Sequence, residues 1–134
     1  MKFDPTVYPH AELTERIIGA AMAVHRELGP GLDEKIHENS LCLEFAMNSM
    51  VFTQQEMFPV FYRKHFVGKL ITDLIVDRKV IVETKVADQI ADVHIAQVLS
   101  YLSITELKVG LILNFKSTSL SVKRVANLYL KSNQ

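Results

Sequence analysis

The chain has 134 residues, 49% of them hydrophobic and 22% charged, the balance of a soluble globular protein with room for one domain and one core. Its 15 Lys/Arg offset 15 Asp/Glu, which argues against a strong non-specific binder of polyanions. A single cysteine, Cys42, excludes an intrachain disulfide and has no neighbours for a zinc site.

Residues 1–11 read as irregular, with Pro5 and Pro9 breaking any element. From Glu12 the pattern is helical, with Leu13, Ile17, Ala20, Ala21, Val24 and Leu28 on one face. Gly29-Pro30-Gly31 ends that helix. A second helix is expected over about Asp33–Met50, with Ile36, Ser40, Leu43 and Met47 as its stripe, widened by Leu41 and Phe45. Asp33, Glu34 and Glu38 stand near its start, where the helix dipole favours acids. Cys42 reads as a small core residue in a reducing compartment.

Val51–Phe61 is then expected as a strand and Tyr62–Gly68 as a basic turn. Leu70–Val76 and Val80–Val86 are apolar runs of the kind a sheet covered on both faces requires, joined by a turn at Asp77–Lys79. A third helix is expected over roughly Asp92–Thr105, with Val93, Ala96, Val98, Leu99 and Leu102 apolar, followed by strands Val109–Phe115 and Leu120–Val125. A helix between the hairpin and a further strand is a crossover, so the sheet should be mixed, with helices on its faces. No apolar run has the length of a membrane span. Met1-Lys2-Phe3-Asp4-Pro5 does not read as a signal peptide, and a cytoplasmic location is expected.

Three charges interrupt the central hairpin: Asp73, Glu83 and Lys85. A turn centred on Arg78 sets Asp73 opposite Glu83, and alternation puts Glu83 and Lys85 on one face. Two carboxylates across a ladder repel, and burying them requires compensation, for which a divalent cation is the usual agent. The competing account is an edge-strand ion pair between Glu83 and Lys85, with Asp73 capping a bend. Charge is also unevenly spread. Residues 1–62 hold four Lys/Arg against nine Asp/Glu, and residues 63–134 hold 11 against six. After Glu106 only Lys108, Lys116, Lys123, Arg124 and Lys131 carry charge. Such a half suits a phosphate-facing surface or simply a solvated one.

In chain order, Gly29-Pro30-Gly31-Leu32-Asp33-Glu34, Asp73-Leu-Ile-Val, Val80-Ile-Val-Glu-Thr-Lys85, His94-Ile-Ala-Gln97 with Tyr101, and Val109-Gly-Leu-Ile-Leu-Asn-Phe115 with Lys123-Arg124-Val125 resemble the PD-(D/E)XK nuclease superfamily. Within it they resemble the group named for its GxxExxY motif, over about residues 12–125. The motif's tyrosine is His37 here, and Lys116 follows Phe115 where glycine is common. The resemblance implies an α/β restriction-endonuclease-like domain occupying the whole chain. It also implies a metal-dependent nuclease, with DNA as the expected substrate, in branched, nicked or single-stranded form.

Asp73 and Glu83 would then ligate Mg²⁺ or Mn²⁺, with the Thr84 carbonyl as a third ligand and Glu34 as a ligand or outer carboxylate. Lys85 would orient the attacking water or stabilise the phosphorane. Gln97 and Tyr101 would touch substrate or buttress Lys85. Nucleic-acid affinity is expected from Arg63, Lys64, Lys69, Lys123 and Arg124. Two other accounts stay open: a catalytically idle nucleic-acid-binding module, and an interaction subunit of a homodimer or larger assembly. Glu34 as a dipole-favoured acid and Tyr101 as a core residue are their structural counterparts.

Overall fold

The computed structural model describes residues 7–127, so Lys131 lies outside them. Helix α1 (Ala11–Leu28) and helix α2 (Glu34–Met47) are followed by β1 (Phe52–Tyr62), β2 (His65–Val76) and β3 (Val80–Lys85). Helix α3 (Asp92–Thr105), β4 (Val109–Asn114) and β5 (Ser121–Ala126) complete the order. Gly29 and Gly31 both take positive φ, and the Gly29 N–H caps α1 on the His25 carbonyl at 2.8 Å. The short link to α2 needs that left-handed backbone.

The five strands form one sheet in the order β1-β2-β3-β4-β5. Only β3 and β4 are parallel, bridged by α3. The architecture is a mixed five-stranded sheet flanked by helices, the restriction-endonuclease-like α/β fold. Alternation in β3 and β4 splits the core in two. Val80, Val82, Val109, Leu111 and Leu113 face α1 and α2 with Ile17, Ala21, Leu41 and Phe45. Ile81 and Ile112 face the other way, onto Val98 and Leu102 of α3. Both faces being covered is why these strands read as unbroken apolar runs.

Two local expectations are corrected. The basic turn is only Arg63-Lys64, because both residues take left-handed backbone (φ 48° and 68°) as a two-residue hairpin turn requires. The strands therefore run on through Tyr62 and His65. The buried stripe of α2 is His37, Leu41 and Phe45 with Glu38. Leu43 and Met47 are exposed instead, because the sheet and α1 meet the helix on the side that carries the histidine.

Close packing of α3 depends on Gly110. A Cβ there would stand 2.6 Å from Val98 Cγ1, well inside van der Waals contact. Gly110→Ala should push α3 outward and cost about 1–3 kcal/mol, measured by urea denaturation. Trimming Val98 to alanine in the same chain should recover part of the loss.

His37 is fully buried, stacked on Phe115 with ring centroids 4.4 Å apart. Neither ring nitrogen has a hydrogen-bond partner. Burial, and then the proximity of His25, holds its pKa below the ordinary value. His37→Phe keeps the stack and removes two unpaired polar atoms, so it should stabilise the fold by about 1–2 kcal/mol at neutral pH. A denaturation midpoint equal to or below that of the wild type would count against this.

Candidate active site

The site lies where β2 stops pairing. The β2–β3 ladder runs Val76↔Val80, Ile75↔Ile81 and Leu74↔Val82, and goes no further. On the other side β1 pairs β2 at Gln54↔Leu74 and Glu56↔Thr72 but not across Gln55 and Asp73. Asp73 thus sits at an opening in both ladders, and side chains take over from backbone there. The Asp73 N–H donates to Glu83 Oε2 at 2.9 Å. The Thr84 N–H and hydroxyl donate to Asp73 Oδ2 at 3.0 and 3.2 Å. Each carboxylate satisfies a backbone donor of the opposite strand, as buried polar groups must.

These bonds do not remove the electrostatic cost. Glu83 is 4% exposed. Burial, and then the charge of Asp73, pushes its carboxyl up to about 8, against the Asp73 N–H and Lys85. Asp73 is also raised, chiefly by burial, with the Thr84 N–H opposing and the charge of Glu38 adding to the rise. Glu34, the first residue of α2, is exposed as a residue, but its carboxyl lies near the backbone of Val86, just past β3, whose N–H favours its charged form. Desolvation there, and then the charge of Asp73, raises it too.

Among the described residues, Lys85 is the cation that acts on all three of these acids. Its Nζ donates to Gln97 Oε1 at 3.1 Å, so α3 holds it from the side. Tyr101 follows one turn along α3, and burial followed by the charges of Glu83 and Asp73 raises its hydroxyl, with the nearby Gln97 side chain opposing. Tyr101 also packs on the α3-side core, so it has a place in both the core and the site.

The sequence pattern did not reveal the support behind Asp73. Glu38 is 2% exposed. Its Oε2 accepts from Gln54 Nε2 at 2.7 Å and Gln55 Nε2 at 2.9 Å, with Lys35 Nζ at 3.3 Å. Gln55 Nε2 also lies 3.5 Å from Asp73 Oδ1. Gln55 takes left-handed backbone inside a strand (φ 55°), a conformation costing a non-glycine residue about 1–2 kcal/mol. The available signal was spacing: Glu38 is four residues from Glu34, on the same helix face. His37, by contrast, points into the α1–α2–β4 core, where its ring meets those of His25 and Phe115.

The five expected nucleic-acid contacts are not brought together. Arg63, Lys64 and Lys69 lie on the β1–β2 hairpin, whereas Lys123 and Arg124 lie on β5 at the opposite edge of the sheet. Arg124 is engaged internally, donating to the Pro9 carbonyl at 2.7 Å and standing over the Tyr8 ring.

Among the described residues, no three His, Cys, Asp or Glu side chains converge as a ready metal cage. The donor set nevertheless fits a hard cation of the Mg²⁺ kind, which takes one or two carboxylates and keeps several waters. Asp73 and Glu83 offer only oxygens. One oxygen of each is bound to backbone, and once both are deprotonated the pair carries two negative charges against the one positive charge of Lys85, an excess that a divalent cation would offset. Thr84 meets Asp73 through its N–H and hydroxyl, which orients that carboxylate.

A mixed sheet whose central hairpin parts around Asp-x9-Glu-x-Lys defines a restriction-endonuclease-like protein. The sequence model of the PD-(D/E)XK nuclease superfamily matches residues 11–125, and the chain belongs to that superfamily. Its members are generally nucleases and typically use divalent metals. Neither a curated protein nor a solved structure matches the chain. Among the described residues no helix is long and apolar enough to cross a membrane.

Proposed function

We propose that the chain is a metal-dependent nuclease of the GxxExxY group that hydrolyses phosphodiester bonds, with DNA as its substrate. The observation that carries this reading is the parting of β2 from β3 at Asp73 and Glu83, with Lys85 on the same strand and held by Gln97. Asp73 and Glu83 would hold Mg²⁺ or Mn²⁺, with Glu34 as an outer carboxylate. The cation supplies charge to offset the transition-state phosphate and acidifies a bound water.

The chain's own residues do the rest. Thr84 orients Asp73, and Glu38 with Gln55 braces it from behind. Gln97 fixes Lys85 so that its ammonium is aimed, at no further entropic cost, at the attacking water or the phosphorane oxygens. A buried glutamate beside a half-buried aspartate, with one positioned lysine, favours this over an edge ion pair, since Lys85 Nζ bonds to Gln97 and is in no ion pair among the described residues.

The test is pure protein incubated with a panel of DNA and RNA structures, in Mg²⁺, in Mn²⁺ and in chelator. Cleavage of at least one structure in metal only, absent in Lys85→Ala, is the expected result. Cleavage that survives chelation would point to another site or a contaminant. Binding without cleavage under every condition would favour the idle module.

A further inference from the structure

The β1–β2 hairpin projects beyond the core as an arm. From Pro59 to Lys69 no residue is buried, yet the tip is aromatic. Phe61 is 59% exposed, Tyr62 62% and Phe66 64%. Phe61 and Phe66 are cross-strand partners, their rings edge to face with centroids 6.1 Å apart. The Arg63 guanidinium stands over the Tyr62 ring at 5.4 Å. A cross-strand aromatic pair stabilises a hairpin, but that does not account for a third ring at the tip or for leaving all three in water.

The charge around these rings has one sign. Between Glu56 and Asp73 there is no acidic residue, while Arg63, Lys64 and Lys69 fall within that interval. None of the three cations is in an ion pair among the described residues. At the base of the arm Glu56 is engaged by Arg78. Exposed π-faces interleaved with unpaired cations complement one kind of polyanion in particular, a nucleic-acid strand whose bases are unstacked. The arm also leads to the site. Phe66 and Asp73 lie seven residues apart on the same strand, roughly 23 Å of extended chain.

We propose that the β1–β2 arm is a binding site for unpaired nucleobases, with Phe61, Tyr62 and Phe66 stacking on bases and Arg63, Lys64 and Lys69 on the adjoining phosphates. This rests on the reading of the chain as a nucleic-acid enzyme and adds a preference to it. Single strands, flaps and frayed ends are taken at the arm, and an intact duplex, whose bases are stacked on one another, is not. Backbone contact alone would bind both forms through their phosphates.

The experiment measures binding of the full chain, in chelator, to a fluorescent 20-nucleotide single strand and to its blunt duplex, at two salt concentrations. Wild type should prefer the single strand. Phe61→Ala/Phe66→Ala should weaken single-strand affinity by about tenfold or more, with duplex affinity and the salt slope unchanged. Phe61→Tyr/Phe66→Tyr should bind as wild type, since the π-faces remain. Arg63→Gln/Lys64→Gln should weaken binding and lower the salt slope by about one for each phosphate left unneutralised.

Single-strand affinity unchanged in the alanine pair, or an equal loss for single strand and duplex, would overturn the arm while leaving the nuclease reading intact. Failure of wild type to bind either probe would overturn the arm, while the nuclease reading is decided separately by the cleavage panel in metal. Sedimentation of the same proteins adds one more outcome. A wild-type dimer that the alanine pair converts to monomer would make the arm a contact between two copies of this chain and overturn base stacking.

Discussion

Lys85→Ala should abolish cleavage while leaving the fold in place, a fall of at least about a hundredfold in the single-turnover rate. Lys85 is half-buried at the end of β3, and its ammonium donates to Gln97 Oε1. Losing that bond costs little stability because neither Lys85 nor Gln97 is fully buried and water can replace it. What disappears is the positive charge that, among the described residues, acts on both members of the acid pair, placed where negative charge would grow in the transition state. Asp73→Asn and Glu83→Gln should lose as much, although each keeps the shape and one acceptor oxygen for the Thr84 or Asp73 N–H. Gln97→Ala should fall between, by roughly tenfold, because it leaves Lys85 present but unaimed. Equal rates for Lys85→Ala and wild type, in proteins with matching melts, would remove this hairpin from the chemistry.

Metal-free protein should lose stability as pH rises from about 7 to 8, the opposite of the usual effect of a salt-bridged carboxylate. The cause is Glu83, whose carboxyl rises from an ordinary 4.5 to about 8. Between those values the folded chain holds a proton that the unfolded chain releases, so the unfolded state binds fewer protons and stability falls with pH. The contribution is fully present below 4.5 and lost as pH rises through 8, with an upper slope of about 1.4 kcal/mol per pH unit. His37 works in the other direction. Its lowered pKa removes stability as pH falls below 6.5, so pH 7 to 8 isolates Glu83 best. Glu83→Gln should be flat over that window and more stable than wild type at pH 8. Mg²⁺ or Mn²⁺ should oppose the fall in wild type alone, since the cation takes the deprotonated pair. The gain follows RT ln(1 + [L]/Kd), about 2.7 kcal/mol at a hundredfold excess over Kd. Thermal melts in chelator and in each metal, at pH 6, 7 and 8, read both effects. A wild type as flat as Glu83→Gln and indifferent to metal would leave a structural ion pair as the better account.

The central hairpin could be read from sequence because its geometry is local. Asp73 and Glu83 are equidistant from Arg78, so a three-residue turn places them at matching positions whatever surrounds them. The strands β3 and β4 declared themselves for the same reason, since a sheet covered on both faces leaves an unbroken apolar run. The link between Lys85 and Gln97 joins two elements by a crossover, and only the superfamily's residue pattern suggested it.

Tertiary structure alone decided which faces those elements present. On α2 the apolar stripe through Leu43 and Met47 lost to the one through His37, Leu41 and Phe45. Side-chain polarity ranks faces by average cost, whereas burial goes to the face that α1 and the sheet reach, and a stacked histidine is tolerated there. Glu38 and Gln55 were invisible for a related reason. Their pairing depends on an α2 side chain meeting a strand residue in left-handed backbone, and no local periodicity encodes that. The basic residues divided in the same way. One charged half in the sequence became an arm at β1–β2 and an edge at β5, because strand order sets which cations are neighbours in space.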